Sequence, residues 1–374
     1  SNFKTSKVID MNNMFADCSS LTTLDLSNFD TSNVLYMGNP YNYSYGGMFR
    51  NCSSLTNLNI SSFNTSKVKL MSNMFHGCSS LVTLDLSNFD TSNVTAMASM
   101  FEKCTSLKNL NLSSFNTSKV IYMDFMFSNC NSIENLNLSS FNTSKVTNMV
   151  NMFTNCYLLK KLDLSSFDTS NVTNMAGMFR DCSKLQYLNI NSFDTSNVTG
   201  MNNMFRGCNN LTTLDLSNFN TSKVVTMSLM FDGCTNLENL NLSSFNTSNV
   251  TTMYSMFSEL SISKLDLSNF DTSNVTDMSS MFYECKNLIQ LDLSNFDTSK
   301  VTKTGSPYGM FSGCKNLKTI YISDLWNMSN VTNSVNMFHN CSSLTGAVPF
   351  DSTKTDVSMA NYTTGYLTYK KNTN

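Results

Sequence analysis

Charge is the first thing this 374-residue chain has little of. Only 13% of its residues are Asp, Glu, Lys or Arg, against roughly a quarter in an ordinary globular protein. The formal net charge is −2, so no strong field steers the chain onto nucleic acid or an acidic membrane surface. Histidine occurs twice, at His76 and His339. That spacing removes most imidazole metal sites and most acid–base chemistry. Pro (3) and Gly (13) are scarce, which excludes a collagen-like or flexible-linker chain. No apolar run approaches the length that crosses a bilayer. Membrane contact is therefore expected only through an anchor outside this fragment. No signal peptide opens the chain; it begins inside a repeat, at Ser1-Asn2-Phe3, and a preceding portion is expected to have been removed.

What is present is repetition. Phe63, Phe89, Phe115, Phe141, Phe167, Phe193, Phe219 and Phe245 open the same phrase at intervals of 26 residues. Phe3 and Phe29 open the first two copies, Phe270 and Phe296 continue the series, and Trp326 opens the thirteenth. Copy four, residues 89–114, reads FDTSNVTAMASMFEKCTSLKNLNLSS. A globular chain this long would split into domains, whereas a solenoid grows along one axis and needs no thick core.

Two periods alternate inside each copy. Val94, Met97, Met100, Phe101 and Cys104 are spaced by three and four, which predicts one face of a short helix or 3₁₀ turn. The Asp-Thr-Ser-Asn cluster before them is turn and N-cap chemistry. Gly77, Gly207, Gly233 and Gly313, each just before a cysteine, fit a helix stop. Leu110-Asn111-Leu112 then alternates like a short strand. At its middle position the copies read Asp25, Asn59, Asp85, Asn111, Asn137, Asp163, Asn189, Asp215, Asn241, Asp266, Asp292. Stacked in register this is one row, in which like charges would repel. Asp follows Asp only at Asp266 and Asp292. The expected fold is an α/β repeat solenoid: a leucine-rich-repeat-like, right-handed parallel solenoid of about 13 repeats of 26 residues with a C-terminal cap. Residues 1–344 hold the repeats. Residues 345–374, with Pro349, Tyr362, Tyr366 and Tyr369, are read as cap and tail.

The phrases NFDTSNVT, MF-x-x-C and L-x-x-L-D-L-S resemble the 26-residue repeat of BspA-like leucine-rich-repeat bacterial surface proteins, over Phe3 to about Leu344. The resemblance implies a non-enzymatic protein of the bacterial cell surface, extracellular, attached to wall or lipid. It also implies adhesion to a host extracellular protein or glycan. No lipobox cysteine or wall-sorting motif is visible, so the anchor is not read.

Twelve cysteines share one repeat position: Cys18, Cys52, Cys78, Cys104, Cys130, Cys156, Cys182, Cys208, Cys234, Cys285, Cys314 and Cys341. In-register neighbours would fall within disulfide range, and an exported protein invites bridges. A column of buried free thiols is favoured, because pairing would need a two-copy alternation that the repeats lack. No C-x-x-C pair or His partner suggests a metal. No cofactor is expected, and no nucleophile elbow, P-loop or Ser–His–Asp set is visible. The recurrent Thr-Ser pairs (Thr91-Ser92, Thr117-Ser118, Thr143-Ser144) offer a hydroxyl ladder for ice or sugar, interrupted by Lys119 and Lys145. Turn closure and helix capping are the favoured role.

The insertions are the sharper lead. Copy two carries eight extra residues within 36–47 (YMGNPYNYSYGG), and copy twelve a smaller insertion, KTGSPYG at 303–309. Per-repeat insertions map to one face, often the binding face, and Tyr-Ser-Gly-Asn loops suit recognition. Tyr36, Tyr41, Asn42, Tyr43, Tyr45 and Tyr308 are the candidate ligand contacts. Arg50, Arg180, Arg206 and the Lys160-Lys161 pair are further variable positions. Copies of the chain itself are the rival partner, through assembly into a filament or layer.

Overall fold

The computed structural model describes residues 3–39 and 46–372. The chain divides into two compact units, Ser1–Asp194 and Thr195–Asn374. Each is a stack of parallel coils, one coil per copy. In the first unit the strands are β1 (Thr23–Asp25), β2 (Asn57–Asn59), β3 (Thr83–Leu84), β4 (Asn109–Leu110), β5 (Lys161–Asp163) and β6 (Tyr187–Asn189). β1 pairs with β2, β3 with β4 and β5 with β6, all parallel, and Asn135 bridges to Lys161. In the second unit β7 (Thr213–Leu214) pairs with β8 (Asn239–Leu240). There, β9 (Gln290–Asp292), β10 (Thr319–Ile322) and β11 (Thr368–Tyr369) form one three-stranded parallel sheet. Registers join equivalent positions, as in Leu162 opposite Leu188. The fold is a leucine-rich-repeat-type solenoid.

A second parallel ladder runs two residues past each Val. It links Asp10, Tyr36, Leu70, Ala96, Tyr122, Asn148 and Asn174 in the first unit. In the second it links Gly200, Thr226, Thr252, Asp277, Lys303 and Asn333.

The expected helix is absent. Among the described residues the only helical element is a 3₁₀ turn at Val357–Met359. The Met-x-x-Met-Phe segment is instead a chain of β-turns whose amides alternate in direction. In copy four, Met100 N, Glu102 N and Cys104 N donate three residues back, to Met97 O, Ser99 O and Phe101 O. Met97 N, Ser99 N, Phe101 N and Lys103 N donate across to copy five, at 2.8 to 3.1 Å. Ser99 and Lys103 sit at φ +54° and +61°, in the left-handed region that a continuous right-handed helix cannot contain. Gly77, Gly207, Gly233 and Gly313 take the Lys103 position with φ between +68° and +82°. They serve a left-handed turn, not a helix stop. The turns keep a spacing of three and four, so the apolar face survives without the helix.

That face is dry. Phe89, Val94, Met97, Met100, Phe101, Cys104, Leu107, Leu110 and Leu112 are all buried. The Phe beside the second Met stacks on its counterpart in the next copy. Phe75–Phe101 and Phe101–Phe127 lie 5.9 and 5.7 Å apart and within 11° of parallel.

The threonine of each Asp/Asn-Thr-Ser turn is buried and joins neighbouring coils. Thr117 Oγ1 donates to Asn142 O at 2.8 Å and accepts from Asn142 N at 2.8 Å. Thr65, Thr91, Thr143 and Thr169 donate in the same way in the first unit, and Thr195, Thr221, Thr247, Thr272 and Thr298 in the second. The serine closes the turn, as Ser118 N and Oγ both donate to Asn116 Oδ1. The Thr-Ser pair therefore has two roles, and neither caps a helix. Lys119 does not interrupt the ladder either: its Nζ donates to Asn93 Oδ1 of the preceding copy at 2.7 Å.

The Asp–Asn row also turns inward on itself. Asp163 Oδ1 accepts from Ser165 N and from Asn189 Nδ2, both at 3.0 Å. Where Asp266 is followed by Asp292, the tail supplies a cation: Lys370 Nζ pairs with Asp292 Oδ2. The last coil is closed by Trp326 Nε1, which donates to Ala360 O, and by the buried Tyr366 ring set edge-on to Phe338 at 5.5 Å.

Replacing Thr117 by Val removes, at a buried side chain, the donor and the acceptor that serve the part-buried backbone of Asn142. The expected loss is about 2 kcal/mol, the usual cost of stranding buried polar groups. Thr117→Ser keeps the hydroxyl and should lose less than half of that. Urea unfolding midpoints of the two variants check the difference.

Candidate ligand-binding face

The side chains that point away from the core on the strands form an open face. In copies four to seven it becomes a shallow groove of about 630 Å³, lined by Asn109, Asn111, Asn135, Asn137, Lys161, Asp163 and Tyr187 among others. Alternation along each strand puts the first and third residues outward and the leucine between them inward. Hence Lys161 and Asp163 share one face with Tyr187, which stands opposite Lys161 on the next strand. Asn111 and Asn137 each accept from the serine two residues on, at 3.1 and 3.0 Å. Their Nδ2 groups remain as donors. Hydrogen bonds from Ser165 hold the Asp163 carboxyl below the usual carboxylate range, with Asn189 adding to the effect. Lys160 is engaged with Glu134 at 2.6 Å, whereas Lys161 makes no ion pair among the described residues.

Copies six and seven are where the repeat departs from itself. Most copies carry small or polar residues just after the cysteine, but copy six has Tyr157 and Leu158, both 41% exposed. Copy seven sets Tyr187, 50% exposed, where its neighbours have Asn, Thr or Lys. Sequence reasoning missed Tyr187 because it counts as one more aromatic in an aromatic-rich chain. Comparing copies position by position exposes it.

The proposed contacts distribute differently. Tyr36 is part of the second ladder, half-buried between Asp10 and Leu70. It belongs to the coil and not to the inserted loop. Tyr41, Asn42, Tyr43 and Tyr45 lie outside the described residues. The neck of their loop is tight: Met48 N donates to Met37 O at 2.9 Å, and a Cβ on Gly38 would stand 2.2 Å from Ser72 O. Tyr308 is 51% exposed and stacks on Tyr283 at 4.3 Å, with its carbonyl accepting from Ser280 Oγ. Arg50, Arg180 and Arg206 are tied to Asp17, Asp181 and Asp232.

Eleven of the cysteines are buried, and Cys18 is exposed. All twelve are free in this structure. The buried thiols hydrogen-bond to the coil before them. Cys104 Sγ donates to Phe75 O and Cys234 Sγ to Phe205 O, both at 3.1 Å. A small apolar side chain with a weak donor satisfies both the core and that carbonyl. Burial pushes the Cys104, Cys234, Cys285 and Cys341 thiols up to about 12.

One polar cluster lies elsewhere in the first unit. His76 Nδ1 stands 3.5 Å from Glu102 Oε2. Asp124 is 1% exposed and its Oδ2 has no hydrogen-bond partner. Burial, with Glu102 adding repulsion, pushes the Asp124 carboxyl up to about 6. Among the described residues no group of three His, Cys, Asp or Glu is placed to hold a metal ion. No helix there is long and apolar enough to cross a membrane.

The model of a family described as a Mycoplasma protein of unknown function, DUF285, matches residues 1–45, 43–162, 151–268 and 254–374. The chain belongs to this family. DUF285 repeats thus cover its whole length, in line with the BspA-like resemblance of the 26-residue phrase. No curated protein matches the chain. Among solved structures it is similar to a leucine-rich cell surface protein of Faecalibacterium prausnitzii (16% identity, 72% of this chain and 77% of that one, TM-score 0.32). It is also similar to the functional domain of InlJ from Listeria monocytogenes, described as including a cysteine ladder (16%, 73% and 52%, TM-score 0.25). A leucine-rich-repeat protein of Leptospira interrogans is a third (13%, 85% and 86%, TM-score 0.23). The fold assignment for this DUF285 chain rests on its own parallel ladders and nine-position core.

Two outcomes are expected. A thiol reagent acts on thiolates, so the native protein should yield one fast-reacting cysteine, Cys18, and eleven that react only in guanidinium. Cys18→Ser should abolish the fast fraction. Asp124 has a folded-state pKa above its unfolded value. Its contribution to stability is therefore full below about pH 4 and lost as pH rises through about 6. Asp124→Asn should then stabilise the protein at pH 7.5, on the order of 1–3 kcal/mol, and give no gain at pH 4. Thermal melts at the two pH values check the sign.

Proposed function

We propose that this protein is a non-enzymatic binding protein of the bacterial cell surface, mediating adhesion to a host protein or glycan. Residues 1–344 act as the repeat scaffold and residues 345–374 as its cap and tail. The observation that carries the reading is the groove over copies four to seven. Near-identical copies leave little reason for one patch to differ, and this patch adds Lys161 and an exposed Tyr187 to the amides and the Asp163 carboxyl of the repeated row. The carboxylates of the row recur as turn closers, as in Asp85, Asp163, Asp215 and Asp292 with the serine two residues on. That pattern supports scaffold chemistry over catalysis. A rigid array of polar groups presented by stacked coils can engage an extended ligand through several weak contacts.

The test is binding of the purified chain to immobilised extracellular-matrix proteins and glycans, beside two variants. Tyr187→Ala should lose about tenfold in affinity for any true ligand. Removing residues 39–46 restores a 26-residue copy two and should leave that binding intact. A ligand lost with the loop and kept by Tyr187→Ala would move the contact to the Tyr-rich insertion. No ligand at all, together with concentration-dependent growth in size, would replace adhesion by self-assembly.

A further inference from the structure

We infer that the groove over copies four to seven binds an acidic linear polysaccharide, laid along the stack axis across successive strands. This rests on the strand face being the binding surface, and goes beyond it by naming the ligand class.

The lining decides the class. Asn109, Asn111, Asn135 and Asn137 give amides on four corners of two adjacent coils, and Ser139, Ser165 and Ser166 add hydroxyls. An amide both donates and accepts, which matches sugar hydroxyls that do the same. Asp163 has an acceptor oxygen left after Oδ1 serves Ser165 and Asn189, suited to hydroxyl donors. Tyr187 stands half exposed at one end of the groove, an aromatic plate for the apolar face of a sugar ring. Protein partners seek enclosed, desolvated apolar pockets for their anchor residues, and this groove is shallow, with the edges of Leu110, Leu136 and Leu138 lying between polar side chains. An extended peptide would add to a sheet edge, but the groove lies on a sheet face.

Charge and spacing narrow the class further. Lys160 is neutralised by Glu134, but Lys161, two residues from Asp163 on the same face, has no ion pair among the described residues. A ligand that fills the groove thus meets one cation open to an anion and one carboxylate oxygen open to hydroxyls. A polyol chain with an acidic group supplies both. Strands lie about 4.8 Å apart, so such a chain crosses Asn109/Asn111, Asn135/Asn137, Lys161/Asp163 and Tyr187 in turn, and affinity should grow with ligand length until these four coils are spanned.

The experiment uses the full chain with size-defined hyaluronan oligosaccharides, heparin as a sulfated acidic probe, and dextran as a neutral one, read by calorimetry. The expected result is binding to hyaluronan or heparin that tightens with length, and at least tenfold weaker binding to dextran. Lys161→Met and Tyr187→Ala should each weaken acidic-glycan binding about tenfold. Lys184→Met, which removes an exposed cation outside the groove, should leave it unchanged, and circular dichroism should show all variants folded. Equal loss with Lys184→Met would overturn the inference in favour of diffuse charge attraction. Dextran binding as tightly as hyaluronan, indifferent to Lys161→Met, would overturn the acidic requirement. A protein ligand sensitive to Tyr187→Ala, with no glycan bound, would keep the face as the binding surface and sink the polysaccharide.

Discussion

The hydrogen bonds between coils are the constraint on which everything else depends. A coil of 26 residues buries its apolar side chains only if its neighbours cover both its edges. Its backbone amides face the same problem. Copy four solves it by sending the amides of Met97, Ser99, Phe101 and Lys103 across to copy five and returning those of Met100, Glu102 and Cys104 three residues back. The threonine at the third position fixes the opposite corner, donating to one backbone group of the next coil and accepting from another. Each such contact is local, so register passes from neighbour to neighbour and no copy needs a partner far along the chain.

This constraint explains the monotony of the sequence. A position that touches its own counterpart above and below must suit itself, which favours identical residues in a column. Phe stacks on Phe within a few degrees of parallel, and each buried thiol finds a carbonyl one coil back. Charge is the exception, because like charges in a column repel. Asp and Asn therefore mix in the outer strand row. The one Asp–Asp step in that row, at Asp266 and Asp292, receives Lys370 from the tail.

Monotony also gives departures their meaning. Tyr187 and Lys161 alter nothing in the coil that carries them, since Leu162 and Leu188 keep their register between them. They change only what the outer face presents. Asp124 is a departure of another kind, a carboxyl buried without a partner for Oδ2, and nothing in the stack requires it.

Much of this was legible without coordinates. The 26-residue phrase specifies parallel stacking, because only in-register coils bring each Cys, Phe and Asp/Asn beside its own kind. The nine inward positions follow from apolar spacing alone. The helix did not follow, because a spacing of three and four fits a run of β-turns as well as a helix. Left-handed residues such as Ser99, Lys103 and Phe125 (φ +56°) are tolerated only because the next coil takes the amides that a helix would have used. Nor could the sequence separate Thr from Ser in the turn, since both are hydroxyls in a polar cluster. Depth decides that one clamps the next coil and the other closes its own loop. The groove is likewise a tertiary fact. Asn109, Asn135, Lys161 and Tyr187 stand 26 residues apart in the chain and become neighbours only when parallel strands align them on one face.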